Sequence, residues 1–122
     1  ETLSEKLNRE KLPGVITTPV WFIPSASKFQ NIPCSGVVFH VTDSKTFRPV
    51  TLGITLLDMV RTDYGEKFRI LPPVAEGKKP MLALLSGDDV LLGNWDKEKL
   101  LTSYQEDSEK FKQKKQKYHL YE

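Results

Sequence analysis

The sequence predicts an α+β fold, a small mixed or antiparallel sheet with helices packed mainly on one face. Three observations carry this. Two runs rich in β-branched and aromatic residues, 15–23 (VITTPVWFI) and 37–41 (VVFHV), have the length of strands. A longer apolar run over 47–63 repeats at three and four residues, the period of a helix. A last run, 97–118, is charged everywhere except along one thin stripe. With 122 residues, 39% hydrophobic and 28% charged, the chain has the size and composition of a single domain, 1–122.

The elements follow in order. Residues 1–12 form a short amphipathic helix with Thr2 as its cap, Glu5 completing a capping box, and Leu3 and Leu7 on one face. Leu12-Pro13-Gly14 stops it. Pro19 lacks a ladder donor, so strand 15–23 lies at an edge or carries a bulge there. A loop, 24–33 (PSASKFQNIP), leads to strand 37–41, and a corner of capping residues, Thr42-Asp43-Ser44-Lys45-Thr46, leads to the helix. Pro49 fits that helix only in its first turn. Leu52, Ile54, Leu56, Leu57, Met59 and Val60 cover most of its circumference, which predicts burial on more than one side. Gly53 inside it costs up to ~1 kcal/mol relative to alanine, which suggests the close approach of another backbone. Residues 68–71 read as a short strand or extended segment, and 80–85 as a brief helix with proline at its first position. The turn 86–89 caps a helical piece, 90–92. Asp96 caps the last helix, whose stripe is Leu101, Tyr104, Phe111 and Tyr118.

The whole chain excludes several classes of function. A net charge of +2 gives no global pull toward nucleic acid, and the lysines of 110–117 are expected to have no glycine and no exposed aromatic residue between them, with Phe111 assigned to the apolar stripe. Cys34 is the only cysteine, so no disulfide or thiolate cluster forms within the chain; it reads as a buried structural thiol. No apolar run approaches the ~20 residues of a membrane span. The chain begins at Glu1 without methionine, which reads as a mature product or a piece of something longer. Glycine-rich phosphate loops, nucleophile elbows and paired-histidine zinc spacings are absent, so no cofactor and no metal is expected. Asp88-Asp89 reads as a cap rather than a cation site.

Candidate chemistry concentrates in two places. His40 points opposite to Phe39 and Val41 along its strand and shares a face with Thr42, near Asp43 and Arg48. That group suits an anionic or hydroxyl-rich ligand; the alternative is a histidine satisfied by its neighbours. The loop with Ser27 and Lys28 is either a binding surface or a plain crossover anchored by Phe29. Glycoside hydrolysis needs two carboxyl groups flanking a bond, ~5–10 Å apart. The spacing of Asp43, Asp58, Asp63, Asp88 and Asp89 nominates no such pair, so no catalytic residue is assigned.

The stretch SASKFQNIPCSGVVFHVTDSKTFRPVTLGITLL resembles the second domain of the exo-β-N-acetylmuramidase family, formerly DUF1343. The family pattern there is a Pro-Thr-x-Ser-Lys-Tyr loop, a Cys-x-Gly-Val step, a His-Val-Thr-Asp strand end and an Arg/Asp-Pro-Val helix start. The closing FKQKKQKYHLY is similar to the family's last helix and tail. Phe29 stands for the usual tyrosine and Ser25-Ala26 for Thr-x. The resemblance implies a two-domain hydrolase of peptidoglycan turnover in the bacterial cell envelope, periplasmic or secreted. Its catalytic glutamate lies in an N-terminal Rossmann-like domain, a partner absent here. The smaller domain closes a cleft that accepts terminal N-acetylmuramic acid. By position, Ser27, Lys28, His40, Thr42, Asp43 and Arg48 would line that cleft. The alternative is a structural or interaction domain that stabilises the catalytic one.

Overall fold

The computed structural model describes residues 2–119. Among these residues the chain is α+β, with four α-helices and one antiparallel two-stranded sheet. The chain divides into two compact units, Glu1–Leu56 and Leu57–Glu122.

The first unit begins with α1, Leu3–Arg9, capped as its sequence dictates: Thr2 Oγ1 accepts the Glu5 N–H at 3.2 Å, and Glu5 Oε2 accepts the Thr2 N–H at 2.8 Å. The Thr2 backbone N–H first, and then the Thr2 side chain, hold the Glu5 pKa below its ordinary value. The helix stops earlier than residue 12, because Lys11 already takes a left-handed conformation, φ 51°. Gly14, φ 70°, then turns the chain into β1, Val15–Phe22. β1 pairs with β2, Cys34–Val41, in unbroken register from Val15↔Val41 to Phe22↔Cys34. β2 starts three residues before the apolar run, since Cys34, Ser35 and Gly36 pair with the end of β1.

Parity within this ladder explains Pro19. The Thr42 N–H donates to Gly14 O at 2.9 Å, so even-numbered β1 residues occupy the hydrogen-bonded pairs and odd-numbered ones fall between them. Pro19 is odd, its missing N–H would have pointed outward, and no ladder bond or bulge results. α1 packs on β1, burying Leu7, Val15, Ser4 and Thr17. The opposite face, with Ile16, Val38 and Phe22, stays exposed. Cys34 lies on that open face and is half-exposed rather than buried, its Sγ donating to Ile32 O at 3.4 Å.

α2, Pro49–Tyr64, begins at its proline; residues up to Leu56 belong to the first unit and the rest to the second. Leu52, Ile54 and Thr55 are buried, while Leu56 to Val60 are half-buried. Gly53 does not mark a close backbone approach: a Cβ there would meet nothing within 4 Å.

In the second unit the segment 68–71, read as a short strand or extended segment, is the latter: no ladder partner reaches it among the described residues, and Phe68 is extended. α3, Met81–Ser86, starts one residue after Pro80, which occupies the capping position, and ends at Gly87 in the left-handed conformation, φ 83°. In the next turn Asp88 Oδ1 accepts the Val90 N–H at 3.0 Å, whereas Asp89 pairs with Lys79 at 2.9 Å. α4, Lys97–Gln116, is capped by Asp96 Oδ1, which accepts the Lys99 N–H at 2.9 Å. Leu100 is its buried residue and Leu101 and Tyr104 are half-buried. Burial, with Asp88 nearby, raises the Tyr104 pKa. Phe111 and Tyr118 of the expected stripe are exposed, so only the first turns of α4 are packed.

Candidate functional site

The hairpin of the first unit separates the sequence-predicted residues into two groups. Ser27 and Lys28 sit in the loop that follows Phe22 and precedes Cys34, whereas His40, Thr42, Asp43 and Arg48 belong to the Val41 end. Seven ladder steps of about 3.4 Å put these ends about 24 Å apart.

At the Val41 end the corner is built from backbone needs. Asp43 Oδ1 accepts the Lys45 N–H and its Oδ2 accepts the Thr46 hydroxyl, each at 2.9 Å. Asp43 O accepts the Phe47 N–H at 3.0 Å. The Lys45 bond first, then the Thr46 bonds, lower the Asp43 pKa. Gly14 closes the corner from outside, since its O accepts both the Thr42 and Asp43 N–H groups. A side chain at Gly14 would run into Asp43 O and Phe47 N. Arg48 turns its Nη1 back onto Lys45 O at 3.1 Å and Phe47 O at 3.3 Å. Asp43 and Arg48 therefore hold the corner together. His40 is exposed on the open face, and its Nε2 shares a 2.8 Å hydrogen bond with Thr18 Oγ1 on the neighbouring strand.

At the other end the loop folds on itself. Gln30 N donates to Ser27 O, Asn31 N to Pro24 O and Ile32 N to Phe29 O, and Ser27 and Asn31 both take positive φ. The Lys28 ammonium is exposed, and no described residue pairs with it. Trp21, 74% exposed, and exposed Phe22, Ile23 and Phe29 belong to the same end. This exposed aromatic group is what sequence reasoning did not single out: Trp21-Phe22-Ile23 reads there only as the apolar end of a strand, and nothing in that pattern says whether it is covered.

A second feature, also missed, lies within the second unit. Arg61 stacks over the Trp95 ring, 4.0 Å from its centroid, and its Nη2 donates to Asp58 Oδ1 at 2.8 Å and Trp95 O at 3.1 Å. A groove of about 430 Å³ lies beside it, lined by Leu57, Phe68, Arg69, Leu91 and Trp95 among others. Among the described residues, no group of three or more His, Cys, Asp or Glu could hold a metal ion, and no helix is long and apolar enough to cross a membrane.

The chain matches the family model described as exo-β-N-acetylmuramidase NamZ, C-terminal, over residues 1–121. It belongs to that family. It is similar to the peptidoglycan β-N-acetylmuramidase NamZ of Bacillus subtilis (strain 168), 31% identical over 120 residues. That match covers 98% of this chain and spans 28% of the NamZ relative's length. The fold is shared with a crystal structure of a DUF1343 family protein from Bacteroides fragilis NCTC 9343, with a TM-score of 0.78 and 24% identity. There the match covers 98% of this chain and 32% of the other.

Proposed function

We propose that this chain is the smaller, C-terminal domain of a two-domain exo-β-N-acetylmuramidase that releases terminal N-acetylmuramic acid from peptidoglycan fragments in the bacterial cell envelope, periplasmic or secreted. The chain acts as an auxiliary domain that shapes the substrate cleft and is inactive alone. The catalytic carboxylate belongs to the Rossmann-like domain that partners it. Family membership supports this reading, as does the peptidoglycan β-N-acetylmuramidase activity of the NamZ relative.

The observation that carries substrate contact is the unpaired Lys28 ammonium at an aromatic hairpin end. The sugar acid bears a carboxylate, for which an unpaired ammonium is a charge-assisted partner. Exposed Trp21 and Phe29 offer apolar area to a sugar ring. Ser27 sets the loop's left-handed turn and so aims Lys28, while His40 and Thr42 present polar groups on the open strand face. Asp43 and Arg48 serve the site by fixing the corner.

The test is kinetic, on the full-length protein with a muropeptide disaccharide. Lys28→Met should lower kcat/KM at least ten-fold with unchanged thermal unfolding. An unchanged kcat/KM would remove the contact role and leave a domain that only supports its catalytic partner.

A further inference from the structure

The two outer edges of the hairpin are finished differently. On β1 the outward groups are those of the odd-numbered residues, and in the middle of the strand they are blocked. Thr17 N–H donates to Asn8 Oδ1 and Asn8 Nδ2 donates to Thr17 O, both at 2.8 Å. Pro19 has no N–H to offer. A third strand finds no continuous ladder through Thr17 and Pro19.

On β2 the same parity turns the N–H and C=O groups of Ser35, Val37, Phe39 and Val41 outward. Among the described residues, no backbone or side-chain hydrogen bond reaches them. Free edges ordinarily carry a lysine, a proline, a bulge or an inward charge to block pairing. β2 (CSGVVFHV) has none of these, and its register is unbroken. The side chains beside the edge are open too. α1 covers β1, leaving Phe39 40% and Val41 51% exposed.

We propose that β2 pairs along Ser35–Val41 with an uncharged extended strand supplied by the remaining polypeptide of the longer protein. This rests on reading the chain as one domain of such a protein. It follows from an edge built without blocking devices in a chain that spans only 28% and 32% of its two relatives. A strand laid there gains backbone bonds and buries the flanks of Phe39 and Val41, the recognition mode of β-augmentation.

Amide exchange in the full-length protein, read by NMR, tests this directly. The Val37, Phe39 and Val41 amides should exchange as slowly as those of Val38 and His40, which face β1, and independently of protein concentration. Exchange a hundred-fold faster at the odd positions would overturn the proposal. So would protection lost on dilution, which would assign the edge to a second copy. Val37→Pro removes one outward N–H while sparing the β1 ladder, as Pro19 does on its own strand. It should speed exchange at Phe39 and Val41 at least ten-fold with Thr18 still protected; unchanged rates at Phe39 and Val41 would again overturn the proposal. These rates are independent of the Lys28 kinetics, so failure of one leaves the other standing.

Discussion

Asn8 uses both ends of its side-chain amide on a single residue, donating to Thr17 O and accepting from Thr17 N. It thereby stands in for a neighbouring strand at a position that is 5% exposed. Ser4, one turn earlier, adds a hydroxyl 2.9 Å from Thr17 Oγ1, while that Oγ1 donates to Ser4 O at 3.0 Å. Asn8→Ala strips the partners from a buried N–H and C=O, which typically costs about 1–3 kcal/mol. A melting temperature several degrees lower is expected by calorimetry. Asn8→Asp should also destabilise, because a carboxylate can accept from Thr17 N but has nothing to donate to Thr17 O.

The two glycines at 14 and 53 should respond in opposite directions to alanine. Gly53 lies inside α2 with open space where a Cβ would go. Gly53→Ala is expected to stabilise the fold by up to about 1 kcal/mol through helix propensity alone. Gly14 has positive φ, and a Cβ would collide with backbone atoms of Asp43 and Phe47. Gly14→Ala should destabilise by more than the Gly53 gain, since both the turn and the corner must shift. Denaturant midpoints of the two variants check the sign of each.

Asp43 makes the corner pH-dependent. Its carboxylate accepts from Lys45 N and the Thr46 hydroxyl, which depresses its pKa in the folded state below the unfolded value. The unfolded chain then binds more protons between the two pKa values, so stability rises with pH in that window. The contribution is fully present above about pH 4 and is lost as pH falls through the folded pKa. Because Asp43 is exposed, the effect should be small and weakened by salt. Asp43→Asn should flatten the acid limb of the stability curve without moving the alkaline one. An acid limb equal to that of the parent would show that the corner does not depend on the charge.

Local rules made much of this fold legible. The capping box at Thr2 and Glu5, the proline at the start of α2, the cap at Asp96 and the two strands all follow from spacing or propensity within a few residues. What stayed hidden depends on residues far apart in sequence. Thr17 reads as one member of an alternating strand, and its burial follows only from Ser4 and Asn8 on α1. Arg61 falls on an apolar row of α2, and its role appears only with Trp95, 34 residues on. The 68–71 segment has strand-like residues but no partner to pair with. Of the residues proposed for the cleft, Lys28 and His40 fall toward opposite ends of the hairpin, and that placement follows from its register, which no motif encodes.

That separation makes the last prediction specific. One sugar residue is far shorter than the eight-residue ladder between the loop of Lys28 and the strand end of His40, so the two are not expected to grip the same terminal N-acetylmuramic acid. If Lys28 holds the carboxylate, the lost charge-assisted bond is worth about 1.5–3 kcal/mol, or roughly ten- to a hundred-fold in kcat/KM. His40→Ala should then leave kcat/KM for a disaccharide nearly unchanged, because that side chain bonds only Thr18 in this structure. With longer glycans the strand face could meet a more distant sugar, and His40→Ala should begin to raise KM. Kinetics of both variants against substrates of increasing length decide the matter. Equal losses for Lys28 and His40 on the disaccharide would mean that neither residue contacts the sugar directly and that both act through the position of the hairpin.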